Sequence, residues 1–139
     1  MIYCNTGFFL LSEIIEEVSG RSFNELLRTR ITGPLGMDDT LLQPRDAQVL
    51  KRAAMHHTRG PGGEWEQAQW GLVLGGEGGM TSTLDDMLRW QAYLAHPTPE
   101  MAELLARMAV PAPFSNGTPS MYALGFTVTR YRGLHNVGH

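Results

Sequence analysis

The chain has 139 residues, of which 42% are hydrophobic and 18% charged, and its formal net charge is −3. These values are typical of one small folded domain and argue against intrinsic disorder. The basic residues are scattered along the chain, so the charge pattern favours neither nucleic acid nor an anionic membrane as a partner. The one cysteine, Cys4, allows no internal disulfide, and no apolar run approaches the length of a membrane span.

The first predicted element is a helix that follows Tyr3-Cys4-Asn5. A tyrosine and an asparagine are therefore expected at a helix N-terminus, where free N–H groups and the positive end of the dipole favour developing negative charge. Gly20 suits a left-handed cap at the end of the helix. The apolar residues recur at spacings of three and four, which predicts one buried face: Phe8, Leu11, Ile14, Ile15 and Val18.

A second helix is predicted to begin after Ser22, because Ser22-Phe23-Asn24-Glu25 has the pattern of a capping box. Gly33-Pro34 is expected to end this helix, and Leu35 and Met37 to seat the following turn in the core. The apolar face of residues 23 to 31 contains Phe23, Leu26, Leu27 and Ile31.

Residues 41 to 77 have no clear period. The pattern allows a short helix from Asp46 to Met55, and the glycine-rich stretches from His57 to Gly63 and from Gly71 to Gly79 indicate loops. Gly75 to Gly79 lacks the Lys-Ser/Thr of a phosphate-binding loop, which argues against a nucleotide site.

Two further helices and a hairpin are predicted in the second half of the chain. One helix begins after Thr83, and another after Thr98, with Pro99 at its first position. Arg132-Gly133 can turn the chain into a returning strand from Leu134 to His139. The expected buried positions are Leu84, Met87, Leu88 and Leu94 in the helix after Thr83, and Met101, Leu104, Leu105 and Met108 in the helix after Thr98. A strand is predicted to begin at Tyr122, and the alternating residues on its covered face are Tyr122, Leu124, Phe126 and Val128. The sequence thus predicts a predominantly helical α+β fold, one partial domain with a helical part over residues 1–114 and a β-hairpin over 115–139.

Four blocks of the chain resemble, in the same order, segments of the serine β-lactamase-like hydrolases, which include class C β-lactamases, penicillin-binding DD-peptidases, D-aminopeptidases and related esterases. The blocks are the Y-x-N region over residues 3–40, its PLGM at 34–37, GGMTSTLDDMLRW at 78–90 and YALGFTV at 122–128. The chain stops at VGH, residues 137–139, where the third motif of these enzymes would begin. The resemblance implies a partial β-lactamase/transpeptidase-like fold, with the helical subdomain and the first hairpin of an antiparallel sheet.

The resemblance also implies roles for particular residues. Tyr3 would relay a proton between the nucleophile and the leaving group, which requires nearby positive charge because tyrosine ordinarily keeps its proton at neutral pH. Asn5 would hydrogen-bond the acyl side chain of the substrate and steady the lysine of the family's S-x-x-K motif. His139 would begin an H-x-G third motif and assist Tyr3 or bind a polar substrate group, and Gly78 and Gly79 would line the substrate site.

Each of these residues also has a purely structural interpretation. An aromatic residue beside an N-cap asparagine is common, a C-terminal histidine is usually exposed, and glycine pairs serve any tight loop. Cys4 is expected to be a small buried residue and not a nucleophile. His135 and His139, on one strand, would lie about 13 Å apart, too far to share a metal, and the resemblance implies no metal or organic cofactor.

The chain departs from the family pattern in one respect. No serine is followed three positions later by lysine, and the only lysine, Lys51, has Gln48 three positions before it. We therefore expect a fragment of a serine hydrolase, cut between the first and third motifs and inactive alone, whose parent opens an amide or ester through an acyl-serine intermediate. A D-amino acid peptide, a β-lactam and a small ester all fit as substrates. A histidine at the start of the third motif slightly favours a D-aminopeptidase or an esterase over a β-lactamase.

A second hypothesis is a non-catalytic relative that binds a peptide, a cell-wall fragment or a partner protein. In either case we expect exposed apolar surface and an unpaired strand edge near residues 122 to 139, which self-association could cover. The first residues lack the features of a signal peptide. Family members carry much sequence before Y-x-N and are often exported, so the first residues of this chain do not decide the compartment of the protein.

Overall fold

The computed structural model describes residues 3–43, 45, 47–68 and 75–139. The chain divides into two compact units, one running to Gln91 and the other from Ala92 to His139.

The described part of the first unit consists of helices and short strand pairs. Strand β1 pairs antiparallel with β4, with Leu41 opposite Thr81, and β2 pairs antiparallel with β3. The elements in chain order are α1 (Asn5–Ser19), α2 (Phe23–Leu27), a π-helical turn (Arg28–Thr32), β1 (Leu41–Leu42), β2 (His57–Arg59), β3 (Trp65–Gln67), β4 (Met80–Thr81) and α3 (Leu84–Ala95), which continues into the second unit.

The second unit contains α4 (Pro99–Met108) and a hairpin of β5 (Thr127–Tyr131) and β6 (Leu134–Gly138). Thr98 is the N-cap of α4, with its hydroxyl accepting from the Met101 N–H at 3.4 Å, as predicted. Arg132 and Gly133 turn the hairpin with φ of 49° and 84°, the left-handed conformation that a two-residue hairpin loop requires.

The ends of the first two helices follow the local signals. Gly20 has a φ of 64° and donates its N–H to the Glu16 carbonyl, so the predicted left-handed cap of α1 is confirmed. Ser22 caps α2 by accepting from the Glu25 N–H at 3.2 Å. The Glu25 carboxylate binds Arg21 at 2.8 Å, so only one of the two capping-box bonds is confirmed.

The second helix ends at Gly33 as predicted, but its second half, from Arg28 to Thr32, is π-helical and not α-helical. The Gly33 N–H donates to the Arg28 carbonyl at 2.8 Å, and a Cβ on Gly33 would lie 2.5 Å from that oxygen. Only glycine fits this close approach, and Gly33 therefore explains both the wide turn and the end of the helix.

Asn24 joins α2 to β1 through both halves of its side-chain amide. Its Nδ2 donates to the Leu42 carbonyl and its Oδ1 accepts from the Leu42 N–H, each at 2.8 Å. The side chain thus pairs with Leu42 as a neighbouring strand would, and Leu42 is only 5% exposed.

We expect Asn24→Ala to lower the free energy of unfolding of the 139-residue chain by about 2 kcal/mol, because a buried N–H and C=O lose their partners. Urea unfolding followed by circular dichroism measures this. Asn116→Ala is the control, since the Asn116 amide bonds only Thr118 in an exposed turn, and its cost should be about 0.5 kcal/mol. Equal costs for the two variants would contradict the proposed strand-like role of Asn24.

A buried carboxylate organises the start of α3. Asp86 is 2% exposed, and it accepts from the Asp39 N–H at 3.0 Å and the Thr40 hydroxyl at 2.8 Å. Arg89 donates to its other oxygen at 2.9 Å. The Thr40 hydroxyl also lies 2.7 Å from that of Ser82, so the network fastens the turn before β1 to the residue that follows β4.

Most of the predicted apolar helix faces are not buried within the described residues. On α1, Leu11, Ile14 and Val18 are 52%, 55% and 83% exposed, and on α3, Leu84 and Leu88 are 76% and 58% exposed. The described elements place nothing over these side chains, which agrees with the expectation of exposed apolar surface. The buried hydrophobic residues of the described chain are Met37, as predicted, with Leu42 and Ala123.

Three other predictions are corrected. The strand predicted from Tyr122 begins at Thr127, because the Ala123 N–H donates to Phe126 at 2.7 Å and Gly125 has a φ of 77°, which closes a turn. Residues 57–59, predicted as loop, form β2. Residues 47–55 form turns and irregular chain and not a helix, whereas Asp46 and residues 71–74 lie outside the described residues.

Candidate active site

The Y-x-N residues lie at the start of α1, as predicted. Tyr3 is 53% exposed and precedes the helix by two positions. Cys4, and not Asn5, is the N-cap, and it makes no side-chain capping bond. Its thiol is exposed, so the expectation that Cys4 is buried is wrong.

Asn5 is the first residue of α1 and is exposed. Because Cys4 is the N-cap residue, the side-chain amide of Asn5 does not cap the helix. Within the described ranges, no side chain or backbone group hydrogen-bonds that amide. The exposed Asn5 therefore lies at the helix terminus, where the first backbone N–H groups have no partner within the helix.

The glycine loop that was predicted to line the site is attached at both ends. Gly76 donates its N–H to the Ser12 hydroxyl on α1 at 2.9 Å, and the Gly79 carbonyl accepts from the Gln43 N–H at 2.7 Å. Gly78 donates to the Gly75 carbonyl at 3.2 Å, which closes a turn. The structure thus places the proposed substrate-binding glycines on a loop that is bound to the helix carrying Asn5.

Ser12 was not among the residues predicted from the sequence to belong to the site. It is 4% exposed and is the buried residue of α1, whereas its apolar neighbour Leu11 is 52% exposed. The signal in the sequence was its spacing of seven residues from Asn5, since positions seven apart lie on the same side of a helix.

His139 belongs to the second unit, beyond the end of β6. It is exposed, its Nδ1 lies 3.1 Å from the Gly125 carbonyl, and its ring packs edge-on against Tyr122 at 6.1 Å between centroids. The Thr127 hydroxyl donates to the neighbouring Gly138 carbonyl at 2.9 Å. Tyr3, Asn5 and the two loop glycines all belong to the first unit.

Neither a metal cluster nor a spanning helix occurs in the part of the chain that the structure describes. No group of three His, Cys, Asp or Glu side chains is disposed there to hold a metal ion. None of the described helices is both long and apolar enough to cross a bilayer.

Solved structures that resemble this chain include a penicillin-binding protein homologue and an amidase. The structure is similar to the octameric penicillin-binding protein homologue from Pyrococcus abyssi, with a TM-score of 0.80 and 25% identity over 100% of this chain and 32% of that one. It is also similar to the D-amino acid amidase from Ochrobactrum anthropi, with a TM-score of 0.75 and 26% identity over 100% of this chain and 43% of that one. These neighbours agree with a partial α+β fold of the predicted type.

A model of the Beta-lactamase family matches residues 1–139. The chain therefore belongs to the Beta-lactamase family, which confirms the resemblance drawn from its sequence blocks.

Curated relatives within this family are D-aminopeptidases. The chain is 33% identical over 131 residues to the D-aminopeptidase of Gluconobacter oxydans, covering 94% of this chain and 25% of the relative. It is 29% identical to the D-aminopeptidase of Brucella canis, covering 99% of this chain and 26% of the relative. The chain spans about a quarter of the length of the curated relatives that it matches.

Proposed function

We propose that this chain is the Y-x-N part of a serine amide hydrolase that releases a D-amino acid from an amide or short peptide through an acyl-serine intermediate. The observation that carries the proposal is the exposed Asn5 at the N-terminus of α1, two residues after Tyr3. The D-aminopeptidase relatives and the D-amino acid amidase neighbour support amides of D-amino acids over β-lactams or small esters.

In this proposal each site residue has one role. Tyr3 moves the proton between the nucleophilic serine and the leaving amine, and Asn5 hydrogen-bonds the acyl part of the substrate. His139 begins the third motif and binds a polar group of the substrate. Gly78 and Gly79 let the substrate approach the backbone closely, because they have no side chains.

The nucleophile of the proposed reaction lies outside these 139 residues, since they contain no Ser-x-x-Lys. Loss of the nucleophilic serine in the best-dissected serine hydrolase costs on the order of a millionfold in turnover. We therefore expect the 139-residue chain to have no measurable amidase activity when it is tested alone.

The test begins with the gene. The proposal expects an in-frame Ser-x-x-Lys encoded upstream of Tyr3, and we call the product of the whole reading frame, which contains this motif and the 139 residues, the extended polypeptide. A fluorescent fluorophosphonate should label the extended polypeptide, and intact-mass spectrometry should locate the label on the serine of that motif. The 139-residue chain and a Ser→Ala variant of the motif are the controls. An extended polypeptide that stays unlabelled, and that does not hydrolyse D-amino acid amides, would contradict the proposal.

The absence of Ser-x-x-Lys from these residues also favours a second candidate, a non-catalytic relative that binds a peptide, a cell-wall fragment or a partner protein. A complete gene without that motif, together with saturable binding of a D-amino acid peptide by the unlabelled protein, would support this candidate over the enzyme.

We further propose that the 139-residue chain self-associates through its exposed apolar faces, for which Val18 at 83% exposure is an example. The Pyrococcus abyssi homologue is octameric. Light scattering should give a mass above 15.4 kDa and a hydrophobic dye should bind, because contiguous apolar patches are costly in water. Val18→Lys should reduce both signals, whereas Glu17→Gln, with the same charge change, should not. A dye-negative monomer would rule out this self-association.

A further inference from the structure

We infer that Ser12 is a positioning residue, which holds the Gly75–Gly79 loop against the side of α1 that carries Asn5 and thereby sets the affinity for substrate. This inference rests on the proposed function. It starts from the inverted burial of α1, in which a serine is buried at 4% exposure and the neighbouring Leu11 is 52% exposed. A buried hydroxyl costs free energy unless it is hydrogen-bonded, and the Ser12 hydroxyl acts both as a donor and as an acceptor.

The Ser12 hydroxyl joins two backbones. It donates to the Phe9 carbonyl in its own helix at 2.7 Å and accepts from the Gly76 N–H at 2.9 Å. The two partners fix the direction of the hydroxyl hydrogen, so its lone pair faces the loop. This bond spans 64 positions of the chain, and it is therefore a tertiary attachment and not a local turn.

The loop reaches Ser12 only because its first two residues are glycines. A Cβ on Gly75 would lie 2.8 Å from both Phe9 Cδ2 and Ser12 Oγ, and a Cβ on Gly76 would lie 3.0 Å from the Phe8 carbonyl. A Cβ on Gly78, by contrast, would meet no described atom within 4 Å. The loop thus packs one pair of glycines against α1 and leaves the backbone at Gly78 open.

The helix geometry connects this attachment to the candidate site. Asn5 and Ser12 are seven residues apart, which places them on one side of α1 about 10 Å apart along its axis. The other end of the loop is held where Gly79 accepts from the Gln43 N–H at 2.7 Å. Removing the Ser12 hydroxyl therefore frees the end of the loop nearer Asn5 while the β4 end stays attached.

The first experiment measures the attachment itself in the 139-residue chain. Ser12→Ala should raise the hydrogen-exchange rate of the Gly76 amide by about tenfold or more, because local opening no longer breaks a bond to a buried partner. Ser19→Ala is the matched control on the same helix, since the Ser19 hydroxyl is exposed and bonds only nearby backbone groups. Unchanged exchange at Gly76 in Ser12→Ala would overturn the inference.

The second experiment measures hydrolysis of a D-amino acid amide by the extended polypeptide. Ser12→Ala should raise KM about tenfold and change kcat less than threefold, because the loop binds substrate and Tyr3 and the serine nucleophile are untouched. A merely structural defect would instead lower the fraction of folded enzyme, which reduces kcat and leaves KM unchanged.

Gly76→Ala provides a second variant that keeps the hydroxyl and pushes the loop away from α1. Gly76→Ala should also raise KM about tenfold. The double variant Ser12→Ala/Gly76→Ala should have a KM no higher than that of either single variant, because both substitutions break the same attachment of the loop to α1. Extended polypeptide that the fluorophosphonate does not label overturns the proposed function. Labelled protein whose KM is unchanged by both Ser12→Ala and Gly76→Ala overturns the role of Ser12 alone.

Discussion

We expect Tyr3→Phe to slow acylation of the extended polypeptide by roughly 10²- to 10⁴-fold, the usual contribution of a positioned general acid or base. Phenylalanine keeps the ring and removes only the hydroxyl that would carry the proton. Tyr3 is 53% exposed, so the change should leave the fold intact. Stopped-flow measurement of the acylation rate at saturating D-amino acid amide separates this effect from substrate binding.

Tyr131→Phe is the matched control for this prediction. Tyr131 is 65% exposed at the end of β5, and its ring, which lies 5.4 Å from the Arg132 guanidinium, is retained in the variant. Its acylation rate should stay within twofold of the unmodified protein. If Tyr3→Phe also stays within twofold, Tyr3 does not transfer the proton and another group must be sought.

The second large effect is on stability. We expect Asp86→Ala to lower the free energy of unfolding by about 3 kcal/mol, because the change removes one carboxylate that satisfies several donors in a buried position. The Asp39 N–H and the Thr40 hydroxyl lose their shared acceptor, and Thr40 is itself only 8% exposed. Arg89 loses its partner at lower cost, since its side chain is 50% exposed. Urea unfolding of the 139-residue chain measures the sum.

Asp85→Ala tests whether this cost comes from the network and not from helix charge. Both aspartates lie in the first turn of α3, where they favour the dipole equally, but Asp85 is exposed. Its removal should cost about 0.5 kcal/mol. Similar losses for the two variants would show that the buried bonds of Asp86 contribute little.

The family of this chain is recognisable from residue patterns that lie close together in the chain. Y-x-N, PLGM and GGMTSTLDDMLRW are short blocks, and the match of the Beta-lactamase family over residues 1–139 confirms the resemblance that they carry. The individual roles of Tyr3, Asn5, His139, Gly78 and Gly79 stay predictions. Ser12 was not predicted, because its spacing of seven residues from Asn5 places it on the same side of α1 but does not show that it is buried or that it binds Gly76.

Local sequence by itself determined where several elements begin, end or turn. Gly20, Ser22, Thr98 and the Arg132-Gly133 turn behave as predicted, because caps and tight turns depend on φ and on bonds within a few residues. Burial was decided by tertiary structure. Ser12, Asn24 and Asp86 find partners 64, 18 and 46 positions away, whereas the apolar faces of α1 and α3 stay exposed. Helical periodicity shows which side chains share a face, but only the packing of distant segments determines which face is covered.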